Sequence, residues 1–237
     1  SQSDEVAALK REVQALKAQQ AAMERDLQTI KALLQQLAGG TAAQADPFVS
    51  KSITLADAQS KGNAAAKITV VEVSDYHCPY CRRQTLQTMP QLMADYVNSG
   101  KVKYVFVDYP IAQLHPDAFK SHEAANCAGE QGKYWQMHDI LFTNSPAKEA
   151  SQLVEEATMV GLDAGKFSAC LGSGRHAPAI NSSIARMRQL GVDGTPLTLI
   201  GVTPAPGAPM KIVSSVYGAK PYAEFKAAID EALAQAR

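Results

Sequence analysis

Cys78 and Cys81 are separated by Pro79 and Tyr80, with a strand-type run before them and a helix-type run after them. A cysteine at a helix start meets unpaired backbone N–H groups and the positive end of the helix dipole, and both favour a thiolate. A free cysteine, with a pKa of about 8.5, is mostly protonated at neutral pH, so this placement turns an inert thiol into a nucleophile. Cys78 is therefore the expected attacker. Cys81, one turn on, donates to its sulfur and later cleaves the bond it has made. Pro79 suits a first helical turn, and with Tyr80 it tunes the stability of the reduced pair. Other uses of a CxxC pair fit less well. A structural zinc site needs a second close pair of ligands, whereas Cys127 and Cys170 stand far apart in the sequence. Haem attachment needs a histidine after the second cysteine, where Arg82 stands. Neither a metal nor another cofactor is expected.

The elements that hold this pair read as strands alternating with helices, which argues for an α/β layer fold. Ile68 to Val73 is a short β-branched run of buried-strand type, joined to the cysteines by Ser74 to His77. Arg82 to Val97 follows as a helix, with Leu86, Met89, Leu92, Met93 and Tyr96 at helical spacing. Strand, CxxC and helix in that order form a thioredoxin-like redox arrangement. A second strand spans Lys103 to Tyr109 and stops at Pro110. Residues 116–190 carry helical faces, at Tyr134, Trp135, Ile140 and Leu141, at Leu153, Ala157 and Val160, and at Ile180, Ile184 and Met187. Strands return at Leu197 to Val202 and Lys211 to Tyr217, and Pro221 to Ala234 is a closing helix. A helical insert between the β-rich halves of one core explains this order without a third domain.

Strand alternation places Glu72 on one face with Ser74, opposite Val71 and Val73. An acid in such a run is expensive unless functional or paired. The other reading is an edge-strand acid pointing at water. His77 either adds positive potential beside the nucleophile or sits solvated on the rim of the site. Trp135, Met137 and His138 read as packing residues.

Composition sets outer limits. The 237 residues are 46% hydrophobic and 19% charged, an ordinary globular balance. Lys plus Arg and Asp plus Glu number 23 each, so no bulk charge draws the chain to nucleic acid or to an anionic membrane. The charge-free stretch Gly194 to Met210 holds four prolines and three glycines, which no membrane-spanning helix would carry, and a soluble protein is expected. Ser1 opens without a basic, apolar leader, which fits either a cytosolic chain or an exported one numbered after signal removal.

A heptad seam occupies the first 40 residues. Val6, Val13, Gln20, Leu27 and Leu34 take a positions, and Leu9, Leu16, Met23, Ile30 and Leu37 take d positions. The flanks are charged rather than apolar, with Glu5, Glu12 and Asp26 at g and Lys10, Lys17 and Lys31 at e. Each acid precedes a base by the g-to-e offset that pairs neighbouring strands of a parallel coiled coil. A solitary surface helix would want a wider apolar stripe. Val at a with Leu at d suits dimers, while Leu27 with Ile30 leans toward higher order, so dimer and trimer both stay open. Such a rod would extend about 48 Å. Gly39 and Gly40 end it, and residues 41–51 read as a linker.

Three segments together resemble the bacterial periplasmic thiol-disulfide interchange family, the DsbA-like branch of the thioredoxin superfamily, over roughly residues 52–236. They are Glu72-x-Ser74-Asp75-Tyr76-x-Cys78-Pro79-Tyr80-Cys81, Gly132-Lys133-Tyr134-Trp135-x-Met137-His138, and Gly194-Thr195-Pro196 opening a strand. The expected fold is therefore α/β: a thioredoxin fold over residues 52–237 with an inserted helical domain at about 116–190, preceded by an N-terminal coiled-coil helix. The resemblance implies that Pro196 is a cis-proline against the dithiol, where local sequence alone also allows a trans turn. It implies that Thr195 and Pro196 offer backbone to an extended substrate, and that Glu72 is a buried acid acting on the Cys81 proton. Cys127 and Cys170 either form a disulfide clamping two helices of the insert, as in a subset of similar proteins, or stay buried free thiols; the clamp is the preferred reading. A periplasmic home with the signal peptide removed follows from the same resemblance. So do partners: unfolded or misfolded cysteine-containing proteins and a membrane redox protein. Thr195 before the proline, together with the stalk, resembles isomerase-type members and the suppressor-of-copper-sensitivity C proteins. The expected activity is disulfide isomerisation by a homo-oligomer held through residues 1–40. The alternatives are a DsbA-like dithiol oxidase and a non-catalytic adaptor on the same scaffold.

Overall fold

The computed structural model describes residues 46–55, 58–144 and 149–236, and eleven positions between 13 and 30. The chain divides into two units, Ser1–Ala45 and Asp46–Arg237. In the first, the described residues are helical, and Val13, Leu16, Met23, Leu27 and Ile30 are all exposed. Val6, Leu9, Leu34 and Leu37 of the seam, the flanking Glu5, Lys10, Glu12 and Lys31, and the stop at Gly39 and Gly40 lie outside the described residues.

The second unit is built on a six-stranded sheet in the order β1-β6-β5-β3-β4-β2. The strands are β1 (Ser52–Ile53), β2 (Gln59–Gly62), β3 (Ile68–Ser74), β4 (Val102–Asp108), β5 (Leu197–Val202) and β6 (Met210–Tyr217). β3 lies centrally, parallel to β4 and antiparallel to β5. Its seven residues are all buried, as its continuous β-branched run requires of a strand covered on both faces. Ile68 and Val70 face one core with Tyr76, Tyr104 and Phe106; Val71 and Val73 face the other with Leu197, Leu199 and Met210. Glu72 shares the first face, so the reading as an edge-strand acid is corrected: the strand is interior and the carboxyl is 1% exposed.

Two short strands were not legible as runs. β1 pairs with β6, and β2 pairs antiparallel with β4 at the far edge. Part of the expected linker also packs on the sheet: Phe48 is buried, and the Ser50 N–H donates to the Ile212 carbonyl at 3.0 Å.

The helix after the cysteines is not a regular one. It runs as α1 (Pro79–Arg83), a wide π turn at Gln84–Thr88, α2 (Met89–Leu92) and a second π turn at Met93–Val97. Pro90 accounts for the first interruption, because its ring lacks an N–H and crowds the carbonyl one turn back. Met89, Leu92, Tyr96 and Val97 still point into the core. The insert consists of α3 (Ala118–Gly129), α4 (Tyr134–Thr143), α5 (Ala150–Met159), α6 (Ala164–Ser173) and α7 (Ala177–Leu190), and α8 (Tyr222–Gln235) closes the chain. Arg82 ties insert to core: its Nε donates to the Phe142 carbonyl at 2.8 Å and its guanidinium to the Thr143 carbonyl at 3.0 Å, at the C-terminal end of α4.

Candidate active site

Cys78 is the N-cap of α1, in extended conformation (φ −71°, ψ 122°), with Pro79 in the first turn and no side-chain cap. The sulfur thus stands where a capping oxygen would, over the free N–H groups of the first turn. Both cysteines are free and buried, Cys78 at 5% exposure and Cys81 at 0%. The Cys81 thiol, followed by Thr195 and the N–H groups of Cys81 and Tyr80, pulls the Cys78 pKa down to about 6 against the opposing effect of burial. Cys81 goes the other way: burial, then its contact with the Cys78 sulfur, pushes its pKa well above the ordinary thiol value. One pair, two environments: a ready nucleophile and a thiol that holds its proton.

Residues distant in sequence complete the site. The Thr195–Pro196 peptide is cis, and the Thr195 carbonyl lies 3.5 Å from the Cys78 sulfur. Gly194 fits this loop because a Cβ there would collide with the Tyr217 hydroxyl, which donates to Asp193 at 2.9 Å. Glu72 is buried on β3, two residues before Ser74; burial raises its pKa, opposed by the Tyr104 hydroxyl that donates to its Oε2 at 2.8 Å. Ser74 acts on both the Glu72 carboxyl and the Cys81 thiol. Tyr80 is exposed, with the Arg83 guanidinium 5.2 Å from its ring centre.

His77 is half-buried rather than solvated on the rim. Its Nε2 lies 2.8 Å from the Ser121 hydroxyl of α3, and burial lowers its pKa below the usual imidazole value. Burial thus works against a positive charge on the ring beside Cys78. His77 fastens the loop to the insert.

Asp75 has the larger part in that fastening, and sequence reasoning passed over it. Its side chain is fully buried; Oδ1 accepts from the His77 N–H at 2.8 Å, and Oδ2 accepts from the Ile111 N–H at 2.8 Å and lies 2.9 Å from His115 Nδ1. One local signal existed: an Asp directly after a strand whose oxygen can reach the N–H two residues on. The contacts to Ile111 and His115 are non-local and left none. His122 similarly links the Tyr76 N–H, at 3.4 Å, to the Asp108 carboxylate at the end of β4. His138 packs among Tyr76, Phe106, Trp135 and Phe142, with Nδ1 2.9 Å from Asp139.

Cys127 and Cys170 form a disulfide between α3 and α6, with Cα atoms 5.8 Å apart. No helix among the described residues is long and apolar enough to cross a membrane.

A family model described as thioredoxin matches residues 54–231. The chain is 35% identical over 136 residues to the Na(+)/H(+) antiporter NhaA 3 of Salinispora tropica, which covers 57% of this chain but only 20% of that protein. It is 25% identical over 146 residues to a probable disulfide bond formation protein D of Bacillus anthracis, covering 58% of this chain and 67% of the relative. A thioredoxin-like oxidoreductase from Silicibacter pomeroyi superposes with a TM-score of 0.62 at 27% identity, over 80% of this chain and 98% of that one. Wolbachia pipientis alpha-DsbA1 superposes at 0.67 with 19% identity, over 78% and 94%. The catalytic domain of Proteus mirabilis ScsC superposes at 0.60 with 19% identity, over 76% and 93%. The family model spans well over half of the chain, and the chain belongs to the thioredoxin family.

Proposed function

We propose that this chain is a periplasmic thiol-disulfide oxidoreductase that works as an oligomer and favours disulfide isomerisation. The observation that carries the reading is the division of labour between the two thiols, with Cys78 lowered to about 6 and Cys81 raised. At neutral pH the Cys78 thiolate attacks one sulfur of a substrate disulfide; a Cys78–substrate bond forms, and the other substrate sulfur leaves as a thiolate. A different substrate thiolate can then attack the same substrate sulfur, which completes an isomerisation and returns Cys78. Failing that, Cys81 attacks the Cys78 sulfur, closes the Cys78–Cys81 disulfide and releases a reduced substrate. Cys81 must first give up its proton, and Glu72 is the group proposed to influence that step. Thr195 and Pro196, beside the nucleophile, are the proposed contact for an extended substrate.

Residues 1–40 are the proposed oligomerisation stalk, 41–51 its linker and 52–237 the catalytic domain. The stalk is supported by the heptad period and by the exposure of Val13, Leu16, Met23, Leu27 and Ile30, between 45% and 64% in the single chain. Several copies of Cys78 facing a shared space would hold a misfolded substrate while one attacks, and would obstruct a partner that oxidises monomers. The second reading, a dithiol oxidase, is favoured by the likeness to the disulfide bond formation protein. Reactivation of scrambled ribonuclease by the full chain and by residues 41–237 separates the two. The proposal expects reactivation that falls with removal of the stalk. Equal isomerase activity in both chains would defeat the role given to the stalk, and no exchange at all, like that of Cys78→Ala, would defeat the oxidoreductase itself.

A further inference from the structure

The disulfide of the insert has neighbours that a purely structural clamp does not need. Cys127 sits near the end of α3 and Cys170 near the end of α6, and both are buried, at 1% and 2% exposure. Gly174 ends α6 in left-handed conformation (φ 63°), which turns the chain back so that His176 caps the start of α7 beside the two sulfurs. A ring nitrogen of His176 and both sulfurs all lie within 4.8 Å of one another. Nε2 of His176 is in turn 2.9 Å from Glu130 Oε1, just past the end of α3. The Glu130 carboxylate thus engages one ring nitrogen, the kind of outer contact that orients histidine ligands in metal sites.

We infer that, once the bridge is reduced, Cys127, Cys170 and His176 form a binding site for a zinc-class divalent cation, with Glu130 orienting the histidine. Two thiolates and an imidazole are the soft and borderline ligands such an ion prefers, and water completes four-coordination. Zinc holds thiolates at about 2.3 Å, which sets the two sulfurs about 3.8 Å apart in tetrahedral geometry. Cα atoms at 5.8 Å can present them so without moving either helix. His176, with its side chain 24% exposed, and Glu130, at 38%, lie between the buried sulfurs and solvent and give the ion a way in. The sequence hid this group because its members lie on three helices and only folding collects them.

The chemistry balances in two steps. A dithiol reductant gives two electrons and two protons to the Cys127–Cys170 bond and itself becomes a disulfide. The two new thiols then lose their protons to solvent as the cation binds. The oxidised protein has no thiolates to offer, so bridge and ion exclude each other, and the insert is clamped by one or the other according to redox state.

The test uses the full chain carrying Cys78→Ser and Cys81→Ser, so that the active-site pair takes no metal. After anaerobic reduction with a phosphine, Co2+ is titrated in and then displaced by Zn2+. The expected result is one equivalent of Co2+ with thiolate-to-metal absorption and tetrahedral visible bands in the reduced protein, and none in the oxidised protein. Glu130→Gln and His176→Ala, checked for folding by circular dichroism, should each weaken binding about tenfold or more. The inference is overturned if reduced protein shows no thiolate–cobalt absorption, or if His176→Ala binds as tightly as its parent. It is equally overturned if reduction unfolds the insert and Zn2+ fails to restore it.

Discussion

The acidity of Cys78 should be visible as stability, measured on the reduced protein. Its pKa falls from an ordinary value of about 8.5 to about 6 on folding. A depressed acid stabilises the fold above its unfolded pKa, and that contribution is lost as pH falls through the folded one. For these two values the contribution is about 1.4 kcal/mol at pH 7 and close to zero at pH 5. Solvent that still reaches the sulfur screens part of this, which leaves about 1 kcal/mol. The perturbation is Cys78→Ala, which keeps every other titrating group. Urea unfolding of reduced wild type and variant at pH 5 and pH 7 gives a double difference in which Glu72, the histidines and all surface charges cancel. Wild type should gain about 1 kcal/mol over the variant between the two pH values, equivalent to roughly fivefold in the folding constant. A double difference below about 0.3 kcal/mol would show that the helix start and Cys81 do not stabilise the thiolate, and the argument from capping geometry would fail.

Two further outcomes follow from the buried acids. Glu72 has a raised pKa, so its proton stabilises the fold below the unfolded value and that contribution disappears as pH rises through the folded one. Glu72→Gln should therefore gain stability relative to wild type as pH rises from 4 to 8, as read by urea midpoints, while release of substrate by Cys81 slows by about tenfold or more; unchanged release in stopped-flow measurements would remove Glu72 from the mechanism. Asp75→Ala strands the His77 and Ile111 N–H groups and frees His115, which should cost about 3 kcal/mol in thermal or urea unfolding. A cost near zero would mean that the loop is held elsewhere.

The legible parts of this protein were those written in local pattern. β3 and α1 around the CxxC, the helical insert and the strand after Gly194-Thr195-Pro196 could all be placed from runs of apolar residues, because their burial repeats within a few positions. β1 and β2 could not, since two and four residues of partly exposed edge strand carry no such repeat. The helix after Cys81 has regular periodicity in sequence because period does not register a widened turn, and Pro90 is the one local sign of it. The site divides in the same way. Cys78 and Cys81 follow from spacing, Glu72 from alternation together with resemblance, and the disulfide from resemblance. Asp75, Tyr104, His115 and His122 needed the parallel pairing of β3 with β4 and the return of the insert over both. The surroundings of His77 are hidden for the same reason: its contact with Ser121 and its burial come from the insert, and its neighbours in sequence reveal neither.

Alkylation of the reduced full chain by a small haloamide, followed at Cys78 across pH 4 to 10, tests the central claim most directly. The account requires the rate to rise through a midpoint at about 6 and flatten above it. A rate that climbs only around about 8.5, as for an unperturbed cysteine, would contradict it.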